Sequence, residues 1–66
     1  MKNTIKIERA IKNMTQEELA KIIGVSRQTI NAMEAGKYVP STVLALKIAK
    51  YFNKKVEDIF ELEDED

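Results

Sequence analysis

Thr15-Gln16-Glu17-Glu18-Leu19-Ala20-Lys21-Ile22-Ile23-Gly24-Val25-Ser26-Arg27-Gln28-Thr29-Ile30-Asn31-Ala32-Met33-Glu34-Ala35-Gly36 carries the signals of two consecutive helices and the turn between them. At its start, the Thr15 hydroxyl can accept from the third helical N–H while Glu18 reaches back to the cap's own N–H, a reciprocal capping box. Two acids in that first turn suit the positive end of a helix dipole. Leu19, Ala20, Ile22 and Ile23 supply the apolar positions, and Gly24 can take the left-handed conformation that closes a helix. Ser26 then caps a second helix, Arg27 to about Ala35, with Ile30 and Met33 one turn apart, Val25 and Ile30 burying the inner face, and Gly36 at its end. Two helices are therefore joined by only three residues, Gly24-Val25-Ser26.

Reading outward, a preceding helix is expected from Thr4 to Lys12, with Ile5, Ile7 and Ile11 as its apolar residues. Downstream, Lys37-Tyr38-Val39-Pro40 reads as a loop, because Pro40 disfavours helix at Val39, and Ser41 caps a fourth helix from Thr42 to Phe52. Val43, Leu44, Leu46, Ile48, Ala49 and Phe52 exceed a single stripe, so this helix is expected to be the central, buried one. A short helical turn follows at Val56 to Ile59. Phe60-Glu61-Leu62 alternates apolar and acidic and suggests a small edge strand, pairing with the other terminus or with a second chain. The fold class is thus all-α: a compact five-helix domain over residues 1–60, with a small terminal β element, and an acidic tail over 61–66.

The 66 residues include no cysteine, histidine or tryptophan, only two glycines and one proline, and are 44% hydrophobic and 33% charged. One small domain near the lower size limit for independent folding fits these figures. Without Cys or His there is no thiol nucleophile, disulfide framework, imidazole base or usual zinc ligand, so neither an enzyme nor a cofactor is expected. The carboxylates cap helices, pair or sit at the terminus, and no glycine loop could cradle a phosphate. Nothing approaches the roughly 18 consecutive apolar residues of a membrane span, and nothing resembles a signal peptide. A cytoplasmic protein with no membrane partner is expected.

Two helices with a short glycine-containing turn form the helix-turn-helix pattern, whose second helix enters the DNA major groove. Arg27, Gln28, Asn31 and Ala35 share the outward side of that helix. Arginine pairs bidentately with guanine, and Gln and Asn with adenine, while Ser26 and Thr29 can donate to phosphate or touch a thymine methyl. Lys37 and Tyr38, just beyond, could hold the phosphate backbone. Taken singly, each of these side chains is equally at home on a solvated helix face.

Thr15 to Ala20, Gly24 to Asn31, Glu34 to Tyr38 and Pro40-Ser41 together resemble the Cro and phage-repressor (XRE-like) family, over nearly the whole chain. The likeness is particularly close to short free-standing regulators of the cytolysin-repressor type, in which a five-helix domain is extended by a small β-sheet and dimerises. The resemblance implies that Gln16 clamps a phosphate and supports the reading helix, that Arg27, Gln28 and Asn31 face bases, and that Lys37 and Tyr38 meet the backbone. It also implies an ion pair between Arg9 and Glu34 tying two helices together, as against an ordinary surface pair. Two positions depart from the pattern: Glu8, where relatives carry an apolar residue, so that the first helix is rotated or starts elsewhere, and Ala32, where phage repressors carry a polar one.

The net charge of zero hides a segregation. Eleven bases against four acids give +7 up to Val56, and seven acids with no base give −7 from Glu57 onward. Potentials are set by such local clusters, so the body can attract phosphates while the tail points elsewhere. The leading expectation is a sequence-specific regulator of transcription, a repressor that binds double-stranded DNA as a homodimer on a palindromic operator, since one reading helix contacts too few bases alone. Val39, Val56, Ile59, Phe60 and Leu62 are candidates for the dimer interface, with core the equal alternative for Ile59 and Phe60. The competing expectation is a protein-interaction module, antitoxin-like or anti-repressor, whose acidic tail meets a basic protein partner; a merely solubilising tail is the plainer reading.

Overall fold

Hydroxyl caps start three of the helices. In the computed structural model, which describes residues 1–66, the Thr15 hydroxyl accepts from the Glu18 N–H at 3.1 Å and the Thr15 N–H donates to the Glu18 carboxylate at 2.8 Å, completing the capping box. Ser26 and Ser41 accept from Thr29 and Leu44 in the same way, each at 3.2 Å. These caps open α2 (Gln16–Ile23), α3 (Arg27–Glu34) and α4 (Thr42–Tyr51), which follow α1 (Ile5–Ile11) and precede the one-turn α5 (Val56–Ile59).

The helix ends are equally regular. α1 to α4 are each followed by a residue in the left-handed region: Asn13 at φ 54°, Gly24 at 88°, Gly36 at 74° and Asn53 at 55°. After each, the chain turns back so that the next N–H reaches a carbonyl five residues earlier: Met14 to Arg9, Val25 to Ala20, Lys37 to Ala32 and Lys54 to Ala49, at 2.9–3.0 Å. This closure satisfies carbonyls that a helix terminus leaves open. Asparagine serves where glycine is absent because its short polar side chain tolerates the left-handed region better than most.

The terminal strands β1 (Lys2–Asn3) and β2 (Phe60–Glu61) pair antiparallel, Lys2 opposite Glu61 and Asn3 opposite Phe60. The Thr4 N–H continues the pairing to the Ile59 carbonyl at 2.9 Å. Phe60 and Glu61 therefore pair with the other terminus of the same chain.

Ile5, Leu19, Ile30, Met33, Ile48 and Ile59 are the largest fully enclosed side chains, one or two from each helix. Two expectations are corrected here. Ile7 and Ile11 are exposed, and Glu8 takes the inward position instead, at 6% exposure. A buried carboxylate needs a partner, and Lys54 Nζ lies 2.7 Å from Glu8 Oε2. The other correction concerns α4, which is not enclosed on all sides: Leu44, Ile48, Ala49 and the following Phe52 face the core, while Val43 and Leu46 face outward.

Candidate nucleic-acid interface

The three-residue turn after α2 carries the chain directly into α3, with Ile30 and Met33 turned into the core. At 100° per residue, Gln28, Asn31 and Ala35 then lie opposite that buried side, with Arg27 at its edge. Arg27, Gln28 and Asn31 are exposed, as are Lys37 and Tyr38 beyond Gly36. Neither Arg27 nor Lys37 belongs to any ion pair in the structure. Ser26 Oγ and Thr29 Oγ1 are 3.0 Å apart at the start of the helix. These two hydroxyls orient one another while Ser26 caps the first turn.

A polar network underlies this surface. Arg9 on α1 donates from Nε and Nη2 to the two oxygens of Glu34, at 2.6 and 2.9 Å, and its remaining nitrogen donates to the Met14 carbonyl at 2.9 Å. Gln16, the first residue of α2, donates to Glu34 Oε1 at 3.2 Å and accepts from Asn31 Nδ2 at a longer 3.4 Å. One carboxylate thus joins α1, α2 and α3, and the network runs out to Asn31 on the outward side of α3. Burial alone would raise the Glu34 pKa, but the hydrogen bonds from Arg9 and Gln16 outweigh it and hold the carboxyl below its usual range. The same pairing with Glu34 raises the Arg9 guanidinium. A planar fork on a planar carboxylate fixes orientation as well as distance.

Two further groups, one side chain and one backbone carbonyl, support the site without an obvious signal in the sequence. Asn3 Nδ2 donates to the Met33 carbonyl at 2.7 Å, fastening β1 to the end of α3. The Met14 carbonyl is the other, and only its tertiary position beside Arg9 reveals it. The acidic tail lies nearby: Glu63 lines a shallow cleft with Met1, Asn3, Ala35 and Gly36. There the Met1 amine meets Glu63 at 3.0 Å and Asp66 at 3.2 Å.

The interface candidates separate. Ile59, at 1% exposure, takes the core position that was the equal alternative for it. Phe60 is also buried, yet it lines an apolar groove together with Val39 and Val56, where Leu46 and Ala45 add aliphatic surface. Leu46 reaches this groove because α4 leaves that flank uncovered. Leu62 projects from the end of β2 at 76% exposure, outside this groove.

Comparison with known proteins finds similar sequences along the whole chain. A helix-turn-helix family model matches residues 5–59. An uncharacterized HTH-type transcriptional regulator of Methanocaldococcus jannaschii is 62% identical over 66 residues, covering the whole of both chains. One from Bacillus subtilis is 54% identical over 65 residues, covering 98% of each. The "ImmF control region 10 kDa protein" of Bacillus phage phi105 is 41% identical over 49 residues, 74% of this chain and 54% of its own.

Proposed function

The chain belongs to the helix-turn-helix family of DNA-binding transcriptional regulators, of the Cro and phage-repressor type and not an enzyme family, and from that premise we propose that it is a repressor acting as a homodimer on a palindromic operator. The carrying observation is the outward side of α3, where Arg27, Gln28 and Asn31 are exposed on a helix whose base is locked by the Arg9–Glu34–Gln16 network. Side chains free to meet bases, on a backbone that cannot turn away, are what direct readout requires. Ser26, Thr29, Gln16, Lys37 and Tyr38 surround them and hold phosphates, setting register on the duplex.

One such helix reads a few base pairs, so a two-fold pair reading half-sites about 34 Å apart supplies the remaining specificity. The groove containing Val39, Leu46, Val56 and Phe60 is the surface through which the copies meet. No helix of the chain is long and apolar enough to cross a membrane, and a DNA regulator of this kind works in the cytoplasm. Repression follows from occupying a site that polymerase needs.

The test is binding to the DNA upstream of the protein's own gene against scrambled competitor, across a salt series. The native chain prefers its own fragment at least about 10³-fold, and Arg27→Ala flattens the preference while keeping the salt slope. Sequence-indifferent binding, unchanged by Arg27→Ala, overturns base reading by α3. A monomer by sedimentation at micromolar concentration overturns the two-fold arrangement.

A further inference from the structure

The reading surface uses few of the basic residues. Arg9, Lys54 and Lys2 are engaged by Glu34, Glu8 and Glu61. Lys12, Lys47 and Lys50 belong to no ion pair and gather about a groove between α2 and α4. Ile22, Ile23 and Tyr51 line that groove with Lys47 and Lys50, and Lys12 Nζ lies 5.4 Å from the centre of the Tyr51 ring. Ile22 is exposed although it is a large aliphatic residue on a helix flank. An apolar floor with a lysine rim fits an occupant that carries an apolar anchor between acids.

The same chain carries such a segment. Leu62 stands exposed between Glu61 and Glu63, followed by Asp64, Glu65 and Asp66. Glu63 and Asp66 are held at the Met1 amine of their own chain, while Asp64 and Glu65 have no ion-pair partner. The tail therefore lies against Met1 and the end of α3, and presents Leu62, Asp64 and Glu65 outward. We propose that this acidic tail docks in the Ile22–Tyr51 groove of a second copy, Leu62 on the apolar floor and Asp64 and Glu65 against Lys47 and Lys50.

A single tail-to-groove contact joins two different surfaces, and where it is not reciprocated between two copies it extends from copy to copy. It shares no residue with the Val39–Leu46 groove, and it stands whether or not α3 reads bases. On DNA it would link copies bound at neighbouring sites. The body over residues 1–60 carries +5 and the tail over 61–66 carries −5, and these supply the long-range attraction, which salt weakens.

Sedimentation velocity of the full chain without DNA, at concentrations up to about 0.5 mM and salt from about 0.05 to 0.5 M, tests this. The native chain shows species heavier than a two-fold pair at low salt, and these disappear at high salt. Lys47→Glu with Lys50→Glu, or Asp64→Lys with Glu65→Lys, weakens the heavier association at least about tenfold, and all four changes in one chain restore it to within about threefold. All four positions are exposed, so folding is not at stake. A mass indifferent to these changes overturns the proposal, as does loss without restoration in the four-fold variant. Retention of a random DNA duplex that requires Lys47 and Lys50 but not Arg27 also overturns it, assigning the strip to phosphates instead.

Discussion

Two carboxylates are buried along α1, and their partners differ in kind. Glu34 reaches α1 from the end of α3 and is gripped by Arg9, with side chains 7% and 14% exposed, and by Gln16 as well. Glu8 belongs to α1 itself and is met at 2.7 Å by Lys54, whose side chain is 42% exposed. The first pair is enclosed, bidentate and shared among three helices. The second is a point charge on a flexible stem, half in water, covering a carboxylate where an aliphatic side chain could sit. An enclosed bidentate pair specifies structure, whereas a half-solvated single bond only tolerates the burial of its carboxylate. Losing a partner at the first site strands a charge that water cannot reach, whereas Glu8 and Lys54 could both be dispensed with.

Removing Glu34 should have the largest effect. Glu34→Ala is expected to destabilise the fold by about 3–5 kcal/mol in denaturant melts, with Arg9→Ala similar and the double variant well short of their sum, because each single change strands the other's charge. Additive losses would show that the two positions act independently. The pH profile sharpens the same point. A carboxyl held below its ordinary value of 4.5 contributes stability that is fully present above that value and is lost as pH falls through the lowered folded value. Melting temperature should therefore drop below about pH 4.5, and Glu34→Gln should flatten that part of the profile. An unchanged acid limb in this variant would mean that other carboxylates carry the acid sensitivity.

At the second site the effects are smaller. Lys54→Ala is expected to cost about 1–3 kcal/mol, since Glu8 keeps its burial and loses its partner. Glu8→Leu should be neutral or mildly stabilising, an aliphatic side chain replacing a desolvated charge. If Glu8→Leu proves as damaging as Glu34→Ala, the contrast between the two sites fails. The smallest effect on stability is expected at Arg27→Ala, within about 0.5 kcal/mol by chemical denaturation. The same change should cost roughly 1–3 kcal/mol of discrimination between specific and scrambled DNA.

The capped segments were legible because their signals are local. Thr15 with Glu18, Ser26 and Ser41 each need only a neighbouring N–H, and Gly24 needs only its own φ. The turn after α2 and the outward placement of Arg27, Gln28 and Asn31 follow from those caps and the helical period. Asn13 and Asn53 were missed as helix closures because asparagine is only permissive at a left-handed position, and its presence does not announce one. On α1, counting isoleucines led to the wrong face. Ile5 is common to both readings, but the seven-residue helix has just one burial-competent side, and the Arg9–Glu34 pair and the Glu8–Lys54 bond turn Ile7 and Ile11 to water. Leu46 and Val43 went the same way on α4, where the apolar residues outnumber the positions the core can enclose.

The number and order of the helices, the three-residue turn, the side of α3 that faces outward, and the charge segregation between body and tail can all be read from the order of the residues. Each depends on hydrogen bonds or periodicities spanning a few residues, which the chain carries wherever it goes. The rotation of α1, the burial of Glu8, the meeting of Gln16 with Glu34 and Asn31, and the pairing of Lys2-Asn3 with Phe60-Glu61 arise instead from packing. Those join residues from 15 to 59 positions apart, and such contacts exist only after the helices have enclosed a common core and excluded the water that would otherwise satisfy the same groups.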